Sequence, residues 1–395
     1  MAGPSLTGLL NPDMLTWARE QSRMDIESAA KRMGQTPQRL HEWETNQRAP
    51  TLKQLRKLAT LYKRSVGIFF LKKRPSQAKQ PVDYRRIELS DINSMSPALA
   101  NGIREAQAKR ESALDIFIEL EDQPPQWNLL LPNNIPAEQA AARMLDRLGI
   151  TMEMRAQWGS HYEALNGWRS AVESLGVLVI QISSVSMREM RGCCLAIYPL
   201  PVIILNSSDS PLGRVFTLLH ELTHLVRQES SLCDLIEDAP RLSAAEAIEV
   251  YCNHVAGAML VPLPTLLSMP GVENASANSV WSPEQLGNMR RIFWASREVI
   301  LRRLLIHNKT SLGFYRQMRL QFQAEYAEQT AKVVGPIIVP YYKKVILSNG
   351  RLLTRLAVNA YNVRAITGSE LSRILNSKLD HLPKIREALV NEVVA

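Results

Sequence analysis

Cysteine is scarce in this chain. Its 395 residues hold four, two of them the adjacent Cys193 and Cys194, which excludes a disulfide framework. So few thiols, two of them poorly placed to pair, point to a reducing cytoplasm. Long apolar runs are missing as well. None approaches the ~18–20 residues of a membrane helix, so no membrane association is expected. The opening "MAGPSLTGLLNPD" lacks the charged and then apolar segments of a secretory signal. There is no internal repeat and no low-complexity tract, which excludes a solenoid or a tail-like chain. What remains is ordinary: 46% hydrophobic and 22% charged residues, as in a soluble globular protein. The length exceeds one compact core and suggests several domains.

Positive charge is absent as an excess from most of the chain. Residues 1–87 carry 17 Lys+Arg against 7 Asp+Glu, whereas the remainder carries 30 against 31. The whole net charge of +9 is therefore an N-terminal property. Concentrated in this way, it reads as a footprint for nucleic acid.

The first seventy residues read as short helices with their signals in place. Asp25 is the expected N-cap of "IESAAKRM" and Gly34 its terminator. Thr36 caps the next helix, with Pro37 at its first position, and Thr51 caps "LKQLRKLATL". Ile26, Ala29, Ala30 and Met33 give one helix an inner face; Leu40 and Trp43 do so for the next. Gln35, Thr36, Gln38, Arg39 and Glu42 are left outward, where a recognition helix would meet base edges. Gln and Arg have the donor geometry for adenine and guanine in the major groove. Arg48, Lys53 and Arg56 are placed to hold phosphates. DNA is accordingly the expected partner of residues 25–56. This stretch resembles the Cro/repressor (XRE-type) helix-turn-helix family, with Trp43-Glu44 and Pro50-Thr51 in register. Two positions depart from that pattern. Asn46 stands where the family has glycine, and Asn is the residue next most tolerant of a left-handed backbone. Pro37 replaces a usual base reader, so the resemblance puts base reading on Gln38 and Glu42.

After the proline-bearing basic stretch "KKRPSQAKQPVD", one long helix is expected from Pro97 to Leu120. Two further helices follow, then three short β-branched runs, "VLVIQIS", "CCLAIY" and "PVIILN", that read as strands. Next comes "VFTLLHELTHLV". Histidines four apart share one face of a helix, so His220 and His224 can present nitrogens to one ion. Glu221 projects from nearly the same edge, within reach of a metal-bound water whose proton it would take as the water attacks a peptide carbonyl. The apolar setting strengthens this reading, because two buried histidines and a glutamate without a partner would be costly. A catalytic zinc needs a third protein ligand. The following helix, "AAEAIEVYCNHVAGAML", offers Glu246 and Glu249; Asn253, a turn beyond Glu249, could orient a ligand. Cys252 falls off that face, and Cys193 and Cys194 read as core.

From "ESLGVLVI" through "HELTHLV" to "IEVYCNHVAGAMLVP" the chain resembles the ImmA/IrrE metallopeptidases. In that family a Glu-x-x-(Cys/Ala)-Asn segment supplies the third ligand, which falls here on Glu249. "DYRR" and "YYKKVILSNGRLL" resemble the longer members that begin with an XRE domain, so the likeness covers nearly the whole chain and is strongest over residues 174–262. It implies a zinc-dependent endopeptidase that cleaves a transcriptional repressor or similar regulator in a stress or mobile-element response. A rival reading is a DNA-binding regulator or antitoxin-like factor whose peptidase fold is weakly active or inactive, and a third makes the zinc purely structural.

The expected fold is α+β and mostly helical. A helix-turn-helix domain over 1–74 is followed by a basic linker and connecting helix over 75–135. A zincin-like peptidase domain with a small sheet spans 136–300. A helical or mixed C-terminal region over 301–395 would serve as a sensor or dimerisation module, with a small hairpin expected around Ser348-Asn349-Gly350. Helix-turn-helix proteins commonly pair, so a homodimer is the expected assembly.

Overall fold

The structure, a computed structural model, describes residues 10–73 (apart from 23 and 63), 95–132, 134–228, 231–233, 244–332 and 339–391. "DYRR" and most of the basic stretch before it lie outside these residues. The chain divides into two compact units, Met1–Glu105 and Ala106–Ala395.

In the first unit four helices surround a small core: α1 (Pro12–Gln21), α2 (Ile26–Met33), α3 (Pro37–Glu44) and α4 (Leu52–Leu61). Each begins where a side chain satisfies a free backbone N–H. Asn11, Asp25, Thr36 and Thr51 are the N-caps, and Thr51 with Gln54 forms a capping box. Gly34 ends α2 in the left-handed region, at φ 67°, and so sets the tight turn into α3. Asn46, after α3, also adopts a positive φ of 61°, so asparagine does supply the left-handed turn. Met14, Leu15, Met33, Leu40, Trp43, Leu55 and Leu58 close the core. Across its edge Arg19 makes two hydrogen bonds to Glu44, Nε to Oε1 at 2.7 Å and Nη2 to Oε2 at 2.9 Å, tying α1 to α3.

The long helix α5 runs Pro97–Glu119, close to its expected bounds. In the second unit the helices α6 (Ala137–Leu148), α7 (Met152–Ala156) and α8 (His161–Ser174) lead into the sheet. Its strands are β1 (Leu178–Ile182), β2 (Gly192–Leu195), β3 (Val202–Asn206) and, after α9 (Pro211–Val226), β4 (Ser231–Cys233), in the order β1-β3-β2-β4. β1 pairs parallel to β3, while β2 lies antiparallel to both β3 and β4. Residues 178–180, 192–195 and 202–206 are buried, which is why these runs are apolar and β-branched without alternation. The short β4 falls in a segment that carries no strand pattern of its own.

α9 is followed by α10 (Ala244–Leu260), and both contribute to one continuous core with α6 and α8. Two contacts hold α10 in place. Arg155 of α7 donates to the carbonyls of Met259 and Leu260, both at 2.8 Å, which places a cation at the helix C-terminus. Tyr251 donates its hydroxyl proton to the Ile135 carbonyl at 2.9 Å.

The C-terminal part corrects one expectation. After α11 (Leu263–Leu267), α12 (Pro283–Phe293), α13 (Arg297–Ile306) and α14 (Leu312–Lys332), no hairpin forms at residues 348–350; α15 (Tyr341–Asn349) and α16 (Arg351–Asn362) are two helices separated by Gly350 alone. Val345, Ile346, Asn349, Leu353 and Ala357 bury one helical face, so the spacing there is three to four and not two. Gly350 sits at φ 78°, and a Cβ there would lie 2.8 Å from Glu173 Oε1 and 2.9 Å from the Val179 carbonyl oxygen. Only glycine meets both conditions. Among the described residues the region after 301 holds helices and no strand; α17 (Gly368–Leu375) and α18 (Leu382–Asn391) complete it. No helix among them is long and apolar enough to cross a membrane.

Candidate functional site

α9 starts cleanly: Ser210 accepts from the Gly213 N–H, and Pro211 occupies the first turn, where no N–H partner is needed. Nearly every residue from Val215 to Val226 is buried, polar ones included. His220 and His224 are each 2% exposed and Glu221 is fully buried.

The two imidazoles meet Glu249 of α10. His220 Nε2 lies 3.1 Å from Glu249 Oε2, His224 Nε2 lies 3.2 Å from Glu249 Oε1, and the two Nε2 atoms are 3.2 Å apart. Four-coordinate zinc with bonds of ~2.0–2.1 Å sets its ligand atoms about 3.3 Å apart, close to the spacing of the two nitrogens and of each nitrogen from one Glu249 oxygen. The electrostatics agree with the geometry. Burial alone would raise the Glu249 carboxyl, yet hydrogen bonds with His220 and His224 hold it well below the usual carboxylate range. Burial would lower His224, yet Cys252, Glu249 and Glu221 together hold it well above the usual imidazole range. Both shifts describe a pocket that favours a positive charge at its centre.

Of the alternatives weighed for the third donor, Glu246 has its side chain outside the described residues. Cys252 requires a correction. It is fully buried and its thiol hydrogen-bonds His224, so it stands beside the second histidine and not away from it. Its position three residues after Glu249 was the available signal, since i and i+3 share a helix face. Cys193 is core, as expected, and burial followed by the nearby Glu221 pushes its thiol up. Asn253 is 4% exposed, and its Oδ1 has no hydrogen-bond partner among the described residues. With Phe216, Thr217 and Gly257 it walls a cavity of about 120 Å³ against the same two helices.

Gly192 escaped notice in the sequence. A Cβ on it would lie 2.3 Å from Thr217 Cγ2 and 3.4 Å from Glu221 Cγ. β2 therefore passes against α9 at the turn that carries Glu221, and only a residue without a side chain permits it. Arg214, about two turns before Glu221, donates to Gln181 Oε1 at 2.8 Å and serves the packing of α9 on β1.

On α3 the outward residues are arranged differently. Gln38 and Arg48 are exposed; Arg39 and Glu42 are half-buried and joined at 3.0 Å, with Arg48 Nε 3.8 Å from the same Glu42 oxygen. The Thr36 hydroxyl accepts from the Arg39 N–H as the helix cap, and Gln35 Nε2 donates to the Gly34 carbonyl. Thr36 and Gln35 thus hold the turn, while Gln38 stands free on the recognition face. Lys53 and Arg56 are exposed at the start of α4.

Comparison with known families follows these two regions. Residues 172–305 match the family model of the IrrE N-terminal-like domain, Peptidase_M78, and residues 15–69 match that of the helix-turn-helix HTH_3. A search of curated proteins and a search of solved structures each return no match.

Proposed function

From a chain that joins an XRE-type helix-turn-helix to an IrrE N-terminal-like domain of the M78 metallopeptidase family, we propose a zinc-dependent endopeptidase that acts on a DNA-associated regulator. The observation that carries this reading is the cluster of His220, His224 and Glu249, whose nitrogens and carboxylate oxygens lie 3.1–3.2 Å from one another, with both histidines buried and Glu249 partly so. Three donors match a catalytic site better than a structural one, which is usually closed by four.

His220, His224 and Glu249 would hold the ion. Zinc, when bound, supplies a Lewis acid and lowers the pKa of a coordinated water. Glu221, sealed between α9 and β2, is the group to take the proton of the attacking water and return it to the leaving amine. Cys252, through His224, and Asn253, from the adjoining cavity wall, are positioning residues. The first unit supplies DNA binding through Gln35, Thr36, Gln38, Arg39, Glu42 and Arg48. It would raise the concentration of the peptidase near a DNA-bound substrate. A transcriptional repressor is the substrate class we favour, and a homodimer the assembly. The chain would then divide at about residues 74, 135 and 300.

The test uses cells carrying either the wild type or Glu221→Gln, with new protein N-termini catalogued by mass spectrometry. A DNA-binding regulator cleaved only in the presence of wild type supports the proposal. Identical N-termini in both strains, with one zinc per wild-type chain, would leave the protein as a DNA-binding regulator with a silent peptidase fold.

A further inference from the structure

A second site lies away from the metal helices. A cleft of about 1070 Å³ opens between α5, the C-terminal end of α8, α16 and α18. That volume is ample for a drug-sized molecule. Much of its wall is apolar, including Phe117, Leu352, Leu356 and Leu389. Into the same space come three cations: Arg351 and Arg355, one turn apart on α16, and Arg386 on α18. Like charges at that spacing on a helix repel each other. Arg386 donates to Asn362 Oδ1, and Arg355 has no acidic partner among the described residues.

The cleft also contains one carboxyl. Glu173 is 5% exposed, and its Oε1 accepts from the Arg351 N–H at 2.9 Å, which caps α16. Its Oε2 has no hydrogen-bond partner among the described residues. A buried oxygen left unpaired costs free energy and calls for an explanation. Burial pushes this carboxyl up, against the pull of Arg169, the two N–H groups at the start of α16 and the Arg351 guanidinium. A cleft with apolar walls and two arginines, Arg355 and Arg386, that have no acidic partner among the described residues has the chemistry of a binding site.

We propose that this cleft binds a small amphipathic anion. Arg355 and Arg386 grip a carboxylate or phosphate headgroup, and the apolar body lies along Phe117, Leu352, Leu356 and Leu389. The site is built by the C-terminal helices together with α8, whose other face (Leu165, Trp168 and Val172) is buried in the core that also holds α9.

The experiment is isothermal titration calorimetry on the full-length protein with octanoate, octyl phosphate, octanol and inorganic phosphate. Saturable binding of octanoate or octyl phosphate at one site per chain is expected, and the tighter of the two identifies the headgroup. Octanol and inorganic phosphate should each bind at least about tenfold more weakly, because each lacks one half of the recognised molecule. Arg355→Ala combined with Arg386→Ala should weaken binding by a similar factor without changing zinc content, and Leu356→Glu should do so from the apolar side. Absence of saturation with both amphiphiles, octanol binding as tightly as octanoate, or unchanged affinity in the arginine double variant would each overturn the proposal. None of these outcomes depends on peptidase activity.

Discussion

In the first unit Gln38 on α3 and Arg48 just beyond it stand in solvent, and Glu42 draws Arg39 and Arg48 together. On α9 of the second unit His220, Glu221 and His224 are all but sealed from solvent. Solvent satisfies an exposed polar side chain at almost no cost, so the surface of α3 is free to read one DNA sequence or another without consequence for folding. A buried imidazole or carboxylate has no such freedom. Its partner must be built into the fold or bound from outside, which is why the cluster announces a cation and the recognition helix does not announce its operator.

The largest test of this contrast is Glu249→Ala. Removing one of three donors should drop zinc from about one per chain to below roughly a tenth, measured by mass spectrometry on dialysed protein. Glu221→Gln should retain the metal yet slow hydrolysis by about 10²–10⁴-fold. Zinc at full occupancy in Glu249→Ala would break the comparison, because the buried cluster would then not be the metal site.

Next in size come the cores themselves. Trp43 is 3% exposed in a cluster confined to the first unit. Trp43→Ala should cost roughly 3–5 kcal/mol in that unit and abolish DNA binding, with zinc content unchanged. Calorimetry and metal analysis on one preparation would check both halves.

The Arg19–Glu44 pair is smaller. Its side chains are 15% and 7% exposed, and the hydrogen bond to Glu44, opposed by burial, raises the guanidinium further. Arg19→Ala should destabilise the first unit by roughly 2 kcal/mol, allowing for partial solvent screening. Arg19→Lys should recover only part of that loss, since an ammonium cannot make the paired contact. Equal stability of the wild type and Arg19→Ala by urea titration would contradict it.

The smallest effects are expected on α3 and just beyond it. Gln38→Ala should cost about 1–3 kcal/mol of operator binding and relax specificity at one base. Arg48→Ala should weaken binding to all sequences alike and reduce the salt slope by about one. Fluorescence anisotropy at several salt concentrations separates these outcomes. If Arg48 changes sequence preference, the free surface of α3 is more specific than its solvation implies.

Much of this was legible before any coordinates. Asp25, Thr36, Thr51, Gly34 and Asn46 each do locally what their side chains favour, because capping and left-handed turns depend only on residues a few positions away. The same short range put His220 and His224 on one helical face. The hairpin expected at Ser348–Gly350 failed for the complementary reason. A turn dipeptide is ambiguous, and the helical burial on either side of it outweighed the local preference.

By itself, then, the sequence determined two working segments, the helix-turn-helix and the His-Glu-x-x-His helix, together with most of the ends of the surrounding helices. Only the tertiary structure decided that the Glu249 carboxylate closes the triangle, that Cys252 stands against His224, that β2 needs Gly192 beside Glu221, and that Arg355, Arg386 and Glu173 share a cleft. The division follows the range of the forces. Capping and helical spacing act within about a turn, whereas contacts between residues tens or hundreds of positions apart are set by the burial of whole helices against one another.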